Sequence, residues 1–169
     1  NGLDLDAFNA RWERWDKCRL CEQNYHGVVR CALGWACWKT YLYRRETKFV
    51  RSGAMCMLGN GLRGAHHYKD ALTVQEAELS MHRRLGSPEA HLLVVQGNLA
   101  CTYERFDRHE EALHMRQNVY SGRVKLDGEE HEETLLAAMN YAISLVCLQR
   151  FEEARSLLRK MMPVARRVL

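Results

Sequence analysis

Proline and long apolar runs are both scarce in this sequence. Only 2 prolines occur in 169 residues, and Ala, Leu, Arg, Glu and Met are common, so the composition favours α-helix. No run of about 18 apolar residues is present, and no membrane-spanning helix is expected. The net charge is only +4, which is too small to indicate a nucleic-acid-binding surface by itself.

The cysteines lack the pattern of a disulfide framework. Their number is odd, 7 in all, they are scattered, and no signal peptide precedes them. We interpret them as reduced thiols of an intracellular, cytoplasmic protein. No nucleophile, base and orienting group form a catalytic set, so no catalytic residue is predicted. The chain begins at Asn1 rather than Met, and we expect the natural protein to start further upstream.

An internal repeat is the strongest positive signal. Three segments align: MLGNGLRGAHHYKDAL from Met57, NLACTYERFDRHEEAL from Asn98, and NYAISLVCLQRFEEAR from Asn140. One column holds small residues (Gly59, Ala100, Ala142), a second holds large apolar residues (Leu62, Tyr103, Leu145), and a third holds alanine after an acidic residue (Ala71, Ala112, Ala154). Small residues let antiparallel helices approach closely, and each unit needs a neighbour to bury its apolar face. The sequence therefore predicts stacked helical hairpins.

The turn residues predict where some of these helices begin and end. Gly86 and Gly128 are expected to stop helices, because glycine readily adopts the backbone conformation that follows a helix. Asp107, followed three residues later by Glu110, resembles a capping box that begins a second helix.

The aligned segments resemble a known family of repeats. GNLACTYERFDRHEEAL and FEEARSLLRK are similar to tetratricopeptide repeats of the kinesin light chain type. The resemblance covers roughly residues 50–169 and implies an all-α fold, a right-handed solenoid of helical hairpins. We assign residues 28–169 to this domain, with a degenerate helix pair at 28–50 and repeats at about 51–88, 89–130 and 131–169.

The resemblance also implies a function and a set of binding residues. Such repeats bind a peptide or a partner helix in the concave groove formed by their first helices. In the resembled family an asparagine before the close-packing pair faces this groove. Asn98 matches it directly and Asn140 matches it by column. Asn60, Arg63, Glu104 and Leu136 are expected to face inward from their helical positions. We therefore predict a protein–protein interaction scaffold.

The segment before the repeats is expected to form a largely buried helix. VVRCALGWACWKTYL places Val29, Ala32, Leu33, Ala36 and the residues from Trp38 to Leu42 at positions that suit a largely buried helix. Trp35 and Trp38 are expected to be buried as well, which argues against a role in stacking on nucleic acid bases.

The stretch CRLCEQNYHGVVRC has the ligand spacing of a zinc knuckle. Cys18, Cys21, His26 and Cys31 form the pattern Cys-x2-Cys-x4-His-x4-Cys, so one alternative is a knuckle that binds nucleic acid. Tyr25 stands where a knuckle usually has glycine, and Cys31 is expected inside the helix as a small apolar residue. A second alternative is that these four residues bind no metal.

A third alternative comes from another resemblance. RWERWDKCRLCEQNYHG resembles the last Cys-x2-Cys pair of a RING-CH-type zinc domain, and we assign residues 1–27 to the remnant of such a finger. The resemblance implies that Cys18 and Cys21 are two zinc ligands and that their partner ligands lie upstream of Asn1. It further implies a ubiquitin ligase in the complete protein, with a ubiquitin-conjugating enzyme as partner and the repeats choosing substrates.

Overall fold

The structure is a computed structural model and describes residues 12–42 and 48–168. Within these ranges seven α-helices follow one another: α1 Gly27–Leu42, α2 Lys48–Gly64, α3 Tyr68–Arg84, α4 Glu89–Tyr103, α5 His109–Asp127, α6 Glu132–Cys147 and α7 Phe151–Val168. A 3-10 turn, Glu104–Phe106, follows α4. The all-α prediction is confirmed. None of the described helices combines the length and the apolar character that crossing a bilayer requires.

The chain divides into two compact units after Glu78, within α3. In the first unit α1 packs against α2, and an apolar cluster of Cys31, Leu58, Leu62 and Ala71 joins them to the start of α3. In the second unit α4 packs against α5, α5 against α6 and α6 against α7. Such consecutive pairing is what the repeat predicts.

The three predicted packing columns are buried. The alanines of the third column are at most 2% exposed, so their methyl groups sit where two helices of a hairpin meet. The large apolar column, Leu62, Tyr103 and Leu145, is 3%, 7% and 1% exposed. These burials confirm the register assigned from the sequence.

The buried face of α1 differs from the prediction. Val29 is 55% exposed, Trp35 is 44% exposed, and Ala32 and Ala36 are also exposed. Cys31 and Tyr41 are buried as expected, and Gly34 and Cys37 are buried beside them. A Cβ atom on Gly34 would lie 2.9 Å from the carbonyl oxygen of Met57 on α2, so the two helices approach closely along small residues, and that approach selects the face.

One predicted segment boundary falls inside a helix. The boundary expected between residues 50 and 51 falls inside α2, so the pair assigned to 28–50 is α1 together with the first turn of α2. The first eleven residues of the finger remnant assigned to 1–27 lie outside the described residues.

The same turn ends the first helix of each repeat. His66, Asp107 and Gln149 adopt left-handed backbone angles, with φ of 66°, 55° and 59°. The next residue in each turn donates its N–H to the carbonyl of the buried column: His67 to Leu62 at 2.9 Å, Arg108 to Tyr103 at 3.1 Å and Arg150 to Leu145 at 2.9 Å. This is a Schellman turn, which satisfies the carbonyl groups at a helix end.

The capping box predicted at Asp107 is wrong. Asp107 belongs to this left-handed turn, and the helix cap is Arg108, whose side chain makes no capping hydrogen bond. Arg108 instead donates two hydrogen bonds of 2.6 Å to the carboxylate of Glu111 in the first turn of α5. Arg150 pairs with Glu153 in the same way at 2.6 and 2.8 Å, so the repeat uses an ion pair where a capping side chain was expected.

Candidate functional site

A cleft of about 220 Å³ opens in the second unit where α4, α5 and α6 meet. Apolar side chains form much of its wall, with Leu93 and Val94 on α4, Val119 on α5 and Leu136 on α6. Val94 and Leu136 are about half exposed, at 46% and 52%. The cleft therefore offers apolar surface that a partner can cover.

Three of the predicted binding residues line this cleft. Asn98 stands on α4, and Asn140 and Leu136 stand on α6. The two asparagines occupy one column of the repeat, so stacking α6 beside α4 brings their side chains into one site. Both are partly exposed, which leaves them within reach of a ligand.

Two arginines of α5 also line the cleft. Only 9% of the Arg116 side chain and 11% of the Arg123 side chain are exposed. Arg116 Nη2 lies 3.0 Å from Cys101 Sγ and 3.6 Å from Glu104 Oε1. Arg123 lies 3.0 Å from Asp127 and 3.4 Å from Glu133. These carboxylates offset the burial of the two guanidinium groups.

Sequence reasoning missed both arginines. Their seven-residue spacing places them on one face of α5, beside Val119, and that spacing is the signal that could have found them. The two arginines do not recur in the repeat, because the residues 42 positions later are Leu158 and Ala165.

The other predicted binding residues lie elsewhere. Glu104 follows α4 and is held by Arg116 and by the hydroxyl of Ser144, which donates to it at 3.0 Å. Asn60 lies on α2 in the first unit, where its side-chain nitrogen is 3.5 Å from Cys56 Sγ. Arg63 lies one turn further along α2 and is half-buried. None of the three is among the residues that line the α4–α6 cleft.

Cys18 and Cys21 lie on a tight turn before α1. An antiparallel bridge joins Lys17 to Asn24, the N–H of Cys18 donates to Gln23 at 2.9 Å, and the N–H of Glu22 donates back to Cys18 at 2.8 Å. Asp16 beside this turn pairs with Arg30 of α1 at 3.0 Å, which anchors the turn to the helix.

In this turn several hydrogen-bond donors point at the sulfur atom of Cys18. Hydrogen bonds from the backbone amide of Cys21, then from that of Leu20, and from the Cys21 thiol hold the pKa of Cys18 below its ordinary value. The two thiols therefore lie together in a setting that favours a thiolate. Cys21 is exposed and Cys18 is partly exposed.

The residues around this turn do not complete a metal site. Cys31, the fourth ligand of the zinc-knuckle alternative, is 9% exposed and packs with Leu58 and Leu62. Across the described ranges, no group of three or more His, Cys, Asp or Glu side chains is placed to hold a metal ion. A tetrahedral thiolate site needs four ligands, of which Cys18 and Cys21 could supply two, and zinc binding stays a prediction.

Comparison with known proteins agrees with the repeat architecture. A family model described as tetratricopeptide repeat matches residues 134–169. BtubC (BKLC) from P. vanneervenii superimposes with a TM-score of 0.70 at 13% identity, over 83% of this chain and 55% of that one. The kinesin light chain TPR-like repeats from Podosopora anserina superimpose with a TM-score of 0.66 at 19% identity, over 83% of this chain and 66% of that one. No curated protein matches the sequence.

These matches confirm the predicted fold class. The chain has the all-α fold of TPR-like helical solenoids, and the solved proteins it resembles are kinesin light chain-like repeat proteins. It spans 55% and 66% of their length. The finger remnant predicted at the N-terminal end lies outside what these comparisons address.

Proposed function

We propose that this chain is a protein-interaction module that binds an extended peptide in the α4–α6 cleft. The observation that supports it most directly is that Asn98 and Asn140 line one cleft together with half-exposed Val94 and Leu136. Apolar walls with a few convergent polar groups are typical of ligand-binding clefts.

The two asparagines suit recognition of peptide backbone. A side-chain amide both donates and accepts hydrogen bonds, so it can satisfy an N–H and a C=O of an extended chain at once. Asn98 and Asn140 line the same cleft, so they bind two different backbone groups of one extended peptide, while Val94 and Leu136 contact its side chains.

The arginines have a different part in this proposal. Arg116 and Arg123 are already paired with carboxylates of the chain. They therefore hold α5 to its neighbours and keep the cleft open, and the asparagines provide the uncharged contacts to the peptide. A partner helix with an exposed turn at its end can use the same contacts.

The test begins with a random peptide library selected on the whole chain. We expect the Asn98→Ala, Asn140→Ala double variant to bind a selected peptide at least tenfold more weakly, with its melting temperature nearly unchanged. Asn118→Ala is the matched control, because Asn118 is an exposed asparagine on α5 outside the cleft, paired with His114 at 3.2 Å. Equal affinity of the wild type and the double variant removes these asparagines from the site.

A second candidate function rests on the Cys18–Cys21 turn. Cys18 and Cys21 supply two thiolates of a tetrahedral zinc site if further ligands are present. With a complete zinc domain of the RING-CH type, the protein is a ubiquitin ligase that binds a ubiquitin-conjugating enzyme, and the repeats select the substrate. The residues of this chain then bind and orient, and none takes part in acid–base chemistry.

A further inference from the structure

Cys101 lies in the wall of the α4–α6 cleft beside a guanidinium group. Its thiol is partly exposed and lines the cleft, and its Sγ atom lies 3.0 Å from Nη2 of Arg116. Only 9% of the Arg116 side chain is exposed. Reactive cysteines are found in partly exposed, electropositive surroundings of this kind.

Arg116 lacks a strong hydrogen-bond acceptor in this position. Its Nε atom is buried and has no hydrogen-bond partner among the described residues. The sulfur atom that Nη2 contacts is a weak acceptor. The nearest Glu104 oxygen accepts from Ser144 at 3.0 Å and lies 3.6 Å from Nη2, which is longer than a hydrogen bond. A buried charged donor without an acceptor is costly, and an oxygen atom attached to Cys101 Sγ would supply an acceptor beside this guanidinium.

The pairing of a thiol with a guanidinium is confined to the second of the three aligned repeats. The columns of Cys101 and Arg116 hold Asn60 and Gln75 in the first repeat, and Ile143 and Leu158 in the third. The stacking of hairpins therefore does not require cysteine or arginine at these two positions, and the pair gives this cleft a chemistry that the other repeats lack.

We propose that Cys101 is a site of reversible oxidation by hydroperoxides, and that its oxidation weakens peptide binding in the α4–α6 cleft. The sulfur atom attacks one oxygen of hydrogen peroxide, and an S–O bond forms as the O–O bond breaks. The departing hydroxide takes the proton of the thiol and leaves as water. Cys101 thereby loses two electrons and becomes a sulfenic acid, whose oxygen accepts a hydrogen bond from the Arg116 guanidinium.

The added oxygen lies where the peptide is proposed to bind. Cys101 follows Asn98 by three residues, so the two side chains are neighbours on α4. Oxidation adds a polar group to a cleft that Val94 and Leu136 also line, and a bound peptide would strip water from that group at a cost in affinity. This effect on affinity rests on the proposed function, whereas the oxidation of Cys101 does not.

The first experiment measures the oxidation itself. The whole chain is treated with hydrogen peroxide in the presence of dimedone, which bonds covalently to sulfenic acids, and the labelled tryptic peptides are quantified by mass spectrometry. We expect Cys101 to be labelled at least fivefold faster than Cys147, although Cys147 is the more exposed thiol, because only Cys101 has the arginine beside it. Labelling of Cys101 no faster than that of Cys147 overturns the proposal.

Two arginine variants test the part that Arg116 plays. Arg116→Gln should slow the labelling of Cys101 to about the rate of Cys147, because it removes the positive charge beside the sulfur. Arg155→Gln is the matched control, since Arg155 is 61% exposed on α7 and lies outside the cleft. Circular dichroism establishes that each variant is folded, and the comparison of Cys101 with Cys147 in the wild type decides the matter if Arg116→Gln does not fold.

The second experiment measures the consequence for binding. A peptide selected on the reduced chain is titrated with the reduced and the peroxide-treated chain. We expect oxidation to weaken binding at least fivefold and dithiothreitol to restore it. Cys101→Ser keeps the other cysteines and should bind equally well before and after treatment. Labelled Cys101 with unchanged affinity overturns the effect on binding. If the reduced chain selects no peptide, the proposed function fails, and the labelling rates alone decide whether Cys101 is the oxidation site.

Discussion

Glu78 is a carboxylic acid enclosed by the protein. It is 1% exposed, and the hydroxyl of Ser52 donates to its Oε1 at 3.3 Å. Burial raises its pKa to about 8, although the Ser52 hydrogen bond acts in the opposite direction. At neutral pH the folded protein therefore holds a proton on Glu78 that the unfolded chain releases.

The consequence is a stability that falls as pH rises. Because the folded pKa lies above the unfolded value of 4.5, the free energy of unfolding decreases between about pH 4.5 and pH 8, by an amount on the order of a few kcal/mol. Glu78→Gln keeps the shape of the neutral acid and removes the titration. We expect it to be more stable than the wild type at pH 8 and to unfold at similar urea concentrations at pH 5.

Urea unfolding at both pH values measures this effect. Glu76→Gln is the matched control, because Glu76 is exposed on the same helix and its loss should leave the pH dependence in place. If the free energy of unfolding changes with pH in the same way for the wild type and for Glu78→Gln, then Glu78 is ionised in the folded protein.

The position of a binding residue could be predicted from the sequence where the repeat fixes that position. Asn98 and Asn140 share a column, so their placement in one cleft follows once two hairpins stack. Glu78, Arg116 and Arg123 were not predictable in this way, because an ionisable residue is buried only when its tertiary neighbours enclose it. Glu104 faces its ion-pair partner rather than the cleft for the same reason.

Whole elements followed the pattern of small and large residues, and helices end at Gly86 and Gly128 as predicted, but the helix start predicted from Asp107 is wrong. The left-handed turn falls on His66, Asp107 and Gln149, none of which is the glycine that usually occupies it. Aspartate is a strong helix-capping residue, so Asp107 gave a misleading signal. The Schellman hydrogen bonds to the buried column determine this turn, and they become apparent only when all three repeats are compared.

The hairpins should be sensitive to the size of their alanine column. Ala112 is 0% exposed, and Ala154 is 2% exposed and packs with Leu113 and Leu145. Replacing either alanine by leucine adds three carbon atoms where there is no room, and we expect a loss of about 1–3 kcal/mol in the free energy of unfolding. Ala77→Leu, at an exposed position of α3, should change it by no more than about 0.5 kcal/mol.

Denaturant unfolding of the three variants gives these values directly. If Ala112→Leu and Ala154→Leu both have the free energy of unfolding of the wild type, the hairpin interior has room for the larger side chains, and the packing argument from this column is wrong.

Across the whole molecule, the sequence periodicity explains the helical repeats. It does not explain the turn before α1, which has no equivalent in the repeats. Residues 17–24 have no counterpart elsewhere in the alignment, so nothing in the repeat explains the Cys-x2-Cys spacing or the bridge between Lys17 and Asn24. The question of whether this chain is a scaffold, part of a zinc-dependent ligase or a zinc knuckle therefore depends on what the cysteine pair binds.

Zinc content of the whole chain distinguishes these classes. Two thiolates leave two of four coordination positions unfilled, so we expect the 169-residue chain to bind Zn²⁺ weakly and to lose it on desalting. Cys18→Ser or Cys21→Ser should abolish even this weak binding, because each removes a ligand. Cys31→Ser should leave zinc binding unchanged and cost a modest amount of stability, since it buries a hydroxyl among Leu58, Leu62 and Ala71. Native mass spectrometry before and after desalting measures the metal bound, and denaturant unfolding measures the cost. A tightly held zinc that Cys31→Ser removes would establish the four-ligand knuckle and reject the half-site, because Cys31 can reach a metal only if the start of α1 unwinds from its packing against α2.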